Sequence, residues 1–208
     1  MSLNKYSDLN EVSKDALREI GNIGTGHAAT ALSNLTGKNV EIDIPIIKII
    51  SYKDAPFLLG GAEEIQIGIL LDVSDELSGV FMFLLNEEFT KLLVEELLGY
   101  EIKSVREPDD LCGSAICETG NIMCCSYINA LTMILNKSIH VSVPSVCCDM
   151  VGALLSVPMI KYGYQCDELM FIENKFKFDD VSFVSHILFL PELKSLKDIL
   201  NTLEIPYE

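Results

Sequence analysis

Two stretches of the chain space their apolar residues every three to four positions, which is typical of long amphipathic helices. They cover residues 7–35 and 111–135. On the first stretch the apolar side comprises Val12, Ala16, Ile20, Ile23, Ala31 and Leu35. On the second stretch it comprises Ala115, Ile116, Ile122, Met123, Ala130 and Ile134. We expect these residues to face the core and the polar side of each helix to face solvent.

The same series of elements follows each of these helices: three strand-like runs and then a further helix. The predicted strands are residues 39–52, 65–73, 79–85, 137–149, 169–178 and 181–190, and the later helices are residues 86–99 and 191–203. Pro45 falls inside the first strand, where its missing N–H predicts an edge position or a bulge.

The repeated order predicts a mixed α/β (α+β) fold. Two pseudo-symmetric helix-strand-strand-strand-helix repeats, about residues 7–104 and 105–208, are expected to share one sheet. Residues 1–208 would then form a single domain made by internal duplication, with the two long helices on one surface. A chain of 208 residues, 49% of them apolar, is long enough to bury such a core. The pattern leaves the order of the strands open.

The two long helices carry one short polar motif each, and the two copies match without a gap. Its members are Asp15, Glu19 and Asn22 in the first copy and Ser114, Glu118 and Asn121 in the second. Positions i, i+4 and i+7 of a helix share one face, so each copy presents a carboxylate and an amide together. A proline follows each copy after the same interval, at Pro45 and Pro144. A single polar stripe is typical of a solvated helix face, but its repetition in register favours a function.

Glycines interrupt the first motif helix at Gly21, Gly24 and Gly26, although each costs up to about 1 kcal/mol relative to alanine there. A phosphate-binding loop is one interpretation, but the spacing matches neither common glycine-rich pattern and no strand precedes it. The other is that the glycines thin the helix so that a second backbone or a partner can approach closely. We favour the second interpretation, because Gly26 falls on the face of Glu19 and Asn22.

The amino-acid composition indicates which partners and which cellular compartment to expect. The net charge of -16 argues against binding to nucleic acid or to an anionic membrane surface, since both would repel the chain. No apolar run reaches the length of a membrane span, and the first residues lack the pattern of a signal peptide. These features predict a soluble, cytoplasmic protein.

The cysteines and histidines do not suggest a metal site. Seven cysteines are an odd number, and the adjacent pairs Cys124-Cys125 and Cys147-Cys148 suit neither a disulfide framework nor zinc spacing. We interpret them as small core residues in a reducing compartment. The three histidines are far apart in the sequence and lie in no metal-binding motif.

A glutamate and an asparagine side by side are suited to positioning rather than to covalent chemistry. Neither copy of the motif places a nucleophile beside a histidine base, and an exposed glutamate is a poor general base. A carboxylate can pair with a lysine of another protein, while an amide can hold a water molecule in a fixed orientation. The combination suits hydrolysis of an already activated bond. The alternatives are a binding module without catalysis and two inert solvated faces.

The doubled motif with its proline, together with the run EIGNIGTGHAATALS at residues 19–33, resembles the CheC/CheX/FliY family of chemotaxis phosphatases, and most of all its CheC branch. The resemblance covers both halves of the chain. It implies a phosphatase that hydrolyses the aspartyl-phosphate of the response regulator CheY. It also names the deamidase CheD as a further candidate partner, and a non-catalytic adaptor for CheD or for a phosphorylated regulator is the alternative function.

The resemblance also implies a role for each motif residue. Glu19 and Glu118 would pair with the regulator's active-site lysine, and Asn22 and Asn121 would align the attacking water. The leading positions, Asp15 and Ser114, would have a supporting role, and the two prolines a structural one. Magnesium would come from the regulator, so no cofactor of the phosphatase's own is expected. Small residues beside each pair would give access to a tight site, namely Gly21, Gly26, Gly120 and Cys125.

Overall fold

Long helices and one antiparallel sheet make up the computed structural model, which describes residues 3, 5–162, 168–179 and 181–206. The helices are α1 (Glu11–Thr36), α2 (Ala55–Leu58), α3 (Glu87–Leu98), α4 (Asp110–Leu135), α5 (Val151–Tyr162) and α6 (Leu193–Thr202). The strands are β1 (Val40–Ile42), β2 (Ile46–Ser51), β3 (Ile65–Asp75), β4 (Gly79–Leu85), β5 (Ile139–Val141), β6 (Ser145–Met150), β7 (Glu168–Phe178) and β8 (Val181–Pro191). A 3₁₀ turn at Tyr6–Asp8 precedes α1.

The caps of α1 and α4 correspond as closely as their motifs do. The Asn10 carboxamide accepts a hydrogen bond from the Ser13 N–H at 2.8 Å, and the Asp109 carboxylate accepts one from the Cys112 N–H at 2.8 Å. These bonds satisfy amides of the first turn that have no partner within the helix. Both helices end on a left-handed residue, Gly37 at φ 68° and Asn136 at φ 49°. The two 26-residue helices therefore begin and end at matching positions of the two repeats.

The strand order interleaves the two repeats. The sheet runs β1-β7-β8-β4-β3-β5, with β2 also beside β7 and β6 also beside β3. The first two strands of each repeat thus pair with the hairpin of the other repeat, and a pseudo-twofold axis passes between β4 and β8. The predicted fold class, two repeats sharing one sheet with both motif helices on one surface, is confirmed. The exchange of edge strands was not predictable from the pattern.

The two prolines mark matching bulges in the edge strands. Ile42 pairs with Phe176 and Ile46 pairs with Glu173, so three residues of the edge oppose two residues of β7. This extra residue defines a β-bulge, and Pro45 stands in it, where no ladder hydrogen bond needs its missing N–H. The second repeat has the same arrangement between β5 and β6 along β3, at Pro144. The position expected for Pro45 is confirmed, and each single predicted strand is divided in two by its bulge.

Two apolar clusters lie on opposite faces of the sheet. The larger one packs α1, α3, α4 and α6 against one face. The smaller one lies under α2 and α5 and includes Val80, Leu84, Leu154 and Phe171. Every residue of β4 is buried, as expected for a central strand covered on both sides.

Three features of the helices differ from the predictions. The four-residue helix α2 was not predicted. Helix α5 was not predicted, because Gly152 and Pro158 interrupt an apolar run that has no clear helical period. On α1, Val12 is 58% exposed, whereas the buried side includes small and polar residues that carry no hydrophobic signal. The buried residues of α1 are Ser13, Leu17, Ile20, Gly21, Gly24, Thr25, Ala28, Ala29 and Leu32. The predicted core side of α1 is therefore rotated from the true one.

The motif helices touch at Gly24 of α1 and Tyr127 of α4. A Cβ added at Gly24 would lie 2.5 Å from the ring of Tyr127, so only glycine allows this approach. The Thr25 and Tyr127 hydroxyls hydrogen-bond each other. Both also lie within hydrogen-bonding distance of Oδ1 of Asn174 on β7, at 3.0 and 3.2 Å respectively. Each hydroxyl has one proton, so two of these three contacts are hydrogen bonds at any one time. This fully buried polar cluster joins α1, α4 and the sheet at one point.

Lowering the pH from 7 to 5 should destabilise the protein through His186 of β8. Its ring lies 4.9 Å from that of Phe171, and burial lowers its pKa to about 4 from 6.5, with a smaller opposing effect of Glu173. Between these two values the unfolded chain binds the extra proton, so the free energy of unfolding falls as the pH falls. The loss at pH 5 should be about 2 kcal/mol.

Urea unfolding at both pH values measures this loss. In His186→Gln the difference between pH 7 and pH 5 should shrink by about that amount. The exposed His140 provides the control, because His140→Gln should leave the difference unchanged. An unchanged difference in His186→Gln would contradict the prediction.

Gly24→Ala and Gly26→Ala should have opposite effects on stability. The methyl group at position 24 would collide with Tyr127, which should lower the free energy of unfolding by about 1–2 kcal/mol. At position 26 the added Cβ meets nothing within 4 Å, so the higher helix propensity of alanine should raise stability by about 0.5–1 kcal/mol. Urea unfolding of the two variants checks the signs, and stabilisation by both would show that α1 and α4 are not closely packed here.

Candidate functional site

The first motif lies on the solvent side of α1. Asp15 and Glu19 are exposed and Asn22 is half-buried, while Ile20, Gly21 and Gly24 on the opposite side are buried. Glu19 and Asn22 are about one turn apart on the same face, so their side chains are neighbours. The structure therefore presents this carboxylate and this amide together to solvent.

The second motif has the same placement on α4. Ser114 and Glu118 are exposed and Asn121 is half-buried, with Thr119 and Gly120 buried behind them. The chemistry of the two stripes is the same in kind, because each joins an exposed acid to a half-buried amide. All six motif residues lie where a partner domain can reach them.

The leading positions are held by local bonds. The Asp15 carboxylate pairs with the Arg18 guanidinium at 2.5 Å, and the Ser114 hydroxyl donates to the Asp110 carbonyl at 2.7 Å. Both interactions remain within their own helix. Such exposed pairs contribute little stability, which is consistent with a supporting role.

The acids and amides of the motif differ in their partners. Glu19, Asn22 and Glu118 have no side-chain hydrogen bond or ion pair with any residue that the structure describes. Asn121 accepts one hydrogen bond, from the Cys125 thiol with 3.6 Å between Sγ and Oδ1. Both glutamates are thus available to pair with a cation from outside the chain.

The glycines of the motif helices have two different roles. The predicted role, giving a partner access to the site, applies to only one glycine. Added Cβ atoms would lie 3.1 Å from Ile47 at Gly21 and 2.5 Å from Ile69 at Gly120. Both glycines therefore let their helices approach the sheet, and the prediction that they open the site is wrong. Gly26 alone of the three on α1 faces open space beside the motif, as predicted. The glycine run is continuous helix, so the phosphate-loop interpretation is also wrong.

The two motifs are separate sites. The pseudo-twofold axis is perpendicular to the sheet, since both helices lie on one face, and it makes α1 and α4 antiparallel. Glu19 lies before Gly24 in α1, and Glu118 lies before Tyr127 in α4. Because the two helices are antiparallel, the two glutamates lie on opposite sides of the Gly24–Tyr127 contact. At 1.5 Å per residue the two acids are about 20 Å apart along the helix axes. Each site therefore has its own glutamate and asparagine and borrows none from the other.

The cysteines of α4 and β6 form no disulfide among the described residues. Cys112 and Cys124 are buried, as predicted, and burial raises the pKa of Cys124 far above its usual range. The prediction of core positions is wrong for Cys147, which is exposed on β6. Burial also raises the pKa of Cys125, and the nearby charge of Glu118 adds to the effect.

The described residues contain no cluster of three His, Cys, Asp or Glu side chains able to hold a metal ion. Each stripe supplies the chemistry of a carboxylate and an amide. The carboxylate attracts a cation, and the amide both donates and accepts hydrogen bonds.

Sequence reasoning missed two contacts of this region, the Cys125–Asn121 bond and the Thr25–Tyr127–Asn174 cluster. The first involves residues one helical turn apart and was detectable from spacing, whereas the second depends on the tertiary fold.

Comparisons with known proteins agree with the architecture. The CheC-like family model matches residues 12–49, which span most of α1 and most of the first edge strand. The CheY-P phosphatase CheC of Bacillus subtilis (strain 168) is 28% identical, over 95% of this chain and 97% of its own length. The flagellar motor switch phosphatase FliY of the same organism is 27% identical, over 68% of this chain and 37% of its own length.

Among solved structures, the crystal structure of Thermotoga maritima FliY superposes with a TM-score of 0.75. The alignment covers 94% of this chain and 98% of that one at 21% sequence identity. At that level of identity the likeness establishes the fold. In the described part of the chain, no helix is both long and apolar enough to cross a membrane.

Proposed function

The chain belongs to the CheC/FliY family, and we propose that it hydrolyses the aspartyl-phosphate of a CheY-type response regulator. The observation that carries the proposal is the doubled stripe, in which Glu19 with Asn22 and Glu118 with Asn121 stand at matching solvent-facing positions. The B. subtilis relative that matches almost the whole chain is a CheY-P phosphatase, which supports the same activity here. A role in chemotaxis follows from it.

Each glutamate docks the regulator by pairing with its active-site lysine. Glu19 and Glu118 are exposed and have no partner among the described residues, so no internal ion pair has to be broken on docking. The net charge of -16 repels the regulator's phosphoryl group at long range. A close pair between carboxylate and lysine offsets that repulsion where the surfaces meet.

Each asparagine aligns the attacking water. The amide accepts a hydrogen bond from the water and holds it in line with the bond from phosphorus to the aspartyl oxygen. The water oxygen attacks phosphorus, the aspartyl carboxylate leaves, and the water proton passes to solvent or to the released phosphate. An acyl-phosphate is already activated, so orientation is the main contribution that remains to be made. Magnesium belongs to the regulator's site in this proposal, and the phosphatase supplies no cofactor.

Removal of both pairs should abolish the acceleration of phosphoryl decay. Glu19→Ala/Asn22→Ala and Glu118→Ala/Asn121→Ala should each retain the activity of the other site, and the quadruple variant should lose at least about tenfold. The phosphorylated regulator with magnesium is the substrate, and release of inorganic phosphate is the measurement. Because the positions are exposed or half-buried, unfolding free energies should stay within about 0.5 kcal/mol of wild type per substitution.

The two roles can be separated within one site. With the second pair removed, Glu19→Gln should raise KM, and Asn22→Ala should lower kcat with little change in KM. Asn34→Ala is the matched control, because Asn34 is an exposed asparagine of α1 outside the motif, and it should change neither value. Acceleration by the quadruple variant would refute the assigned residues, and no acceleration by wild type would refute the activity.

A second function, binding of a protein such as CheD, is favoured by the surface of α5. Val157, Met159 and Ile160 are 47%, 54% and 82% exposed there, on the face of the sheet opposite the motif helices. An exposed apolar cluster of this kind is typical of a protein interface. Binding there leaves both motif stripes free, so the adaptor function and the phosphatase function are compatible.

Val157→Asp/Ile160→Asp should weaken binding to purified CheD by at least about tenfold while phosphatase activity is retained, because the substitutions put charge into an apolar interface. Isothermal titration of the two purified proteins measures the affinity. Val181→Asp is the control, as Val181 is similarly exposed on β8 and outside the α5 surface. Equal affinity of wild type and the α5 variant would exclude this surface as the binding site.

A further inference from the structure

The second site contains a contact that the first site lacks. The Cys125 thiol donates a hydrogen bond to Oδ1 of Asn121, with 3.6 Å between Sγ and Oδ1. The two residues lie one turn apart on α4, and both side chains are half-buried. The matching position on α1 is Gly26, which has no side chain. Asn22 accordingly has no hydrogen-bond donor among the described residues.

The thiol is in the protonated form that this bond requires. Burial is the larger cause that raises the pKa of Cys125, and the negative charge of Glu118 raises it further. At neutral pH the sulfur therefore keeps its proton and acts as a donor. The acid of the motif thus favours the donor form of the cysteine beside its own asparagine.

The bond fixes which way the amide of Asn121 points. A terminal amide rotates broadly about its last torsion and has two orientations that exchange oxygen and nitrogen. Accepting from Cys125 places Oδ1 toward the next turn of α4 and turns the NH₂ group the other way. A carbonyl oxygen has two lone pairs, so Oδ1 can still accept from a second donor, such as a water molecule.

We propose that Cys125 is a positioning residue for the second site, holding the Asn121 amide in the orientation that receives the attacking water. This inference rests on the proposed function and deepens it by making the two sites unequal. Asn121 is oriented before the regulator arrives, whereas Asn22 must be ordered during each encounter. An amide that is oriented in advance loses less conformational entropy when it reaches the reactive geometry. We therefore expect the bond to raise kcat.

The test isolates the second site in the full-length chain with Glu19→Ala/Asn22→Ala. In that background Cys125→Ala should lower kcat about twofold to fivefold, as expected for a weak S–H···O bond, and leave KM unchanged. Cys117→Ala is the matched control, since Cys117 is also half-buried on α4 and makes no bond to Asn121, and it should leave both values unchanged. Phosphate release from the phosphorylated regulator with magnesium is the measurement.

A transplant of the thiol provides the reverse test. With the second pair removed by Glu118→Ala/Asn121→Ala, Gly26→Cys should raise kcat of the first site by about twofold or more, because it adds the missing donor. The position has room, as a Cβ there meets nothing within 4 Å. Gly26→Ala separates this gain from a general effect of losing the glycine. In the same background Cys125→Ala should have no effect.

The possible results discriminate between the inference and the proposed function. If wild type fails to accelerate decay, the phosphatase proposal itself fails. If the isolated second site is active but Cys125→Ala leaves kcat unchanged or raises it, only the role of Cys125 is refuted. A matching loss with Cys125→Ala in the isolated first site would reveal a general structural effect and would also refute it.

Discussion

The close approach of α1 to α4 is the constraint on which the rest of the structure depends. It requires glycine at position 24, because the ring of Tyr127 occupies the space that a side chain would need. It also brings Thr25 and Tyr127 over Asn174, so hydroxyl groups of both helices share one buried carbonyl oxygen of the sheet. A buried polar group without a partner is costly, so these bonds favour one relative position of the helices over alternatives. The orientation of both motif stripes follows from that position.

The pairing of each repeat's edge strands with the other repeat also constrains how the two repeats are arranged. Since β1 and β2 pair with β7, and β5 and β6 pair with β3, neither repeat completes its part of the sheet alone. Each motif helix leads directly into an edge strand that pairs with the hairpin of the other repeat. The two sites therefore depend on one cooperative fold, although each site contains its own acid and amide.

Local signals were sufficient to predict most of the elements. The helix at residues 86–99, the hairpin strands and the position of Pro45 depend on neighbours in sequence, and the structure agrees with them. Strand order depends on contacts between residues far apart in the chain, which no short pattern records. The buried face of α1 was misplaced for a related reason. The contact between α1 and α4 uses Gly24 and Thr25. Gly24 is buried there because it is small, and Thr25 because its hydroxyl has a hydrogen-bond partner, so neither residue carries a hydrophobic signal.

The motif residues themselves were found because they repeat, but the roles of their neighbours needed the structure. Gly21 and Gly26 look equivalent in the sequence, yet one faces Ile47 of the sheet and the other faces open space. Gly26 and Cys125 are matching small residues, yet only Cys125 bonds to its asparagine. Duplicated sequence therefore preserved the positions of the motif side chains and not their surroundings.

A reaction that depends on orientation places an unusual demand on the scaffold. An enzyme with a nucleophile gains part of its rate from covalent chemistry, whereas a glutamate and an asparagine contribute only through where they are held. In the proposed reaction, movement of the helix relative to the regulator would directly misplace the water. The buried Thr25–Tyr127–Asn174 cluster and the glycines facing the sheet hold each helix close to its neighbours, behind side chains that remain free to bind. A rigid backbone that carries unengaged polar groups is the arrangement that this chemistry requires.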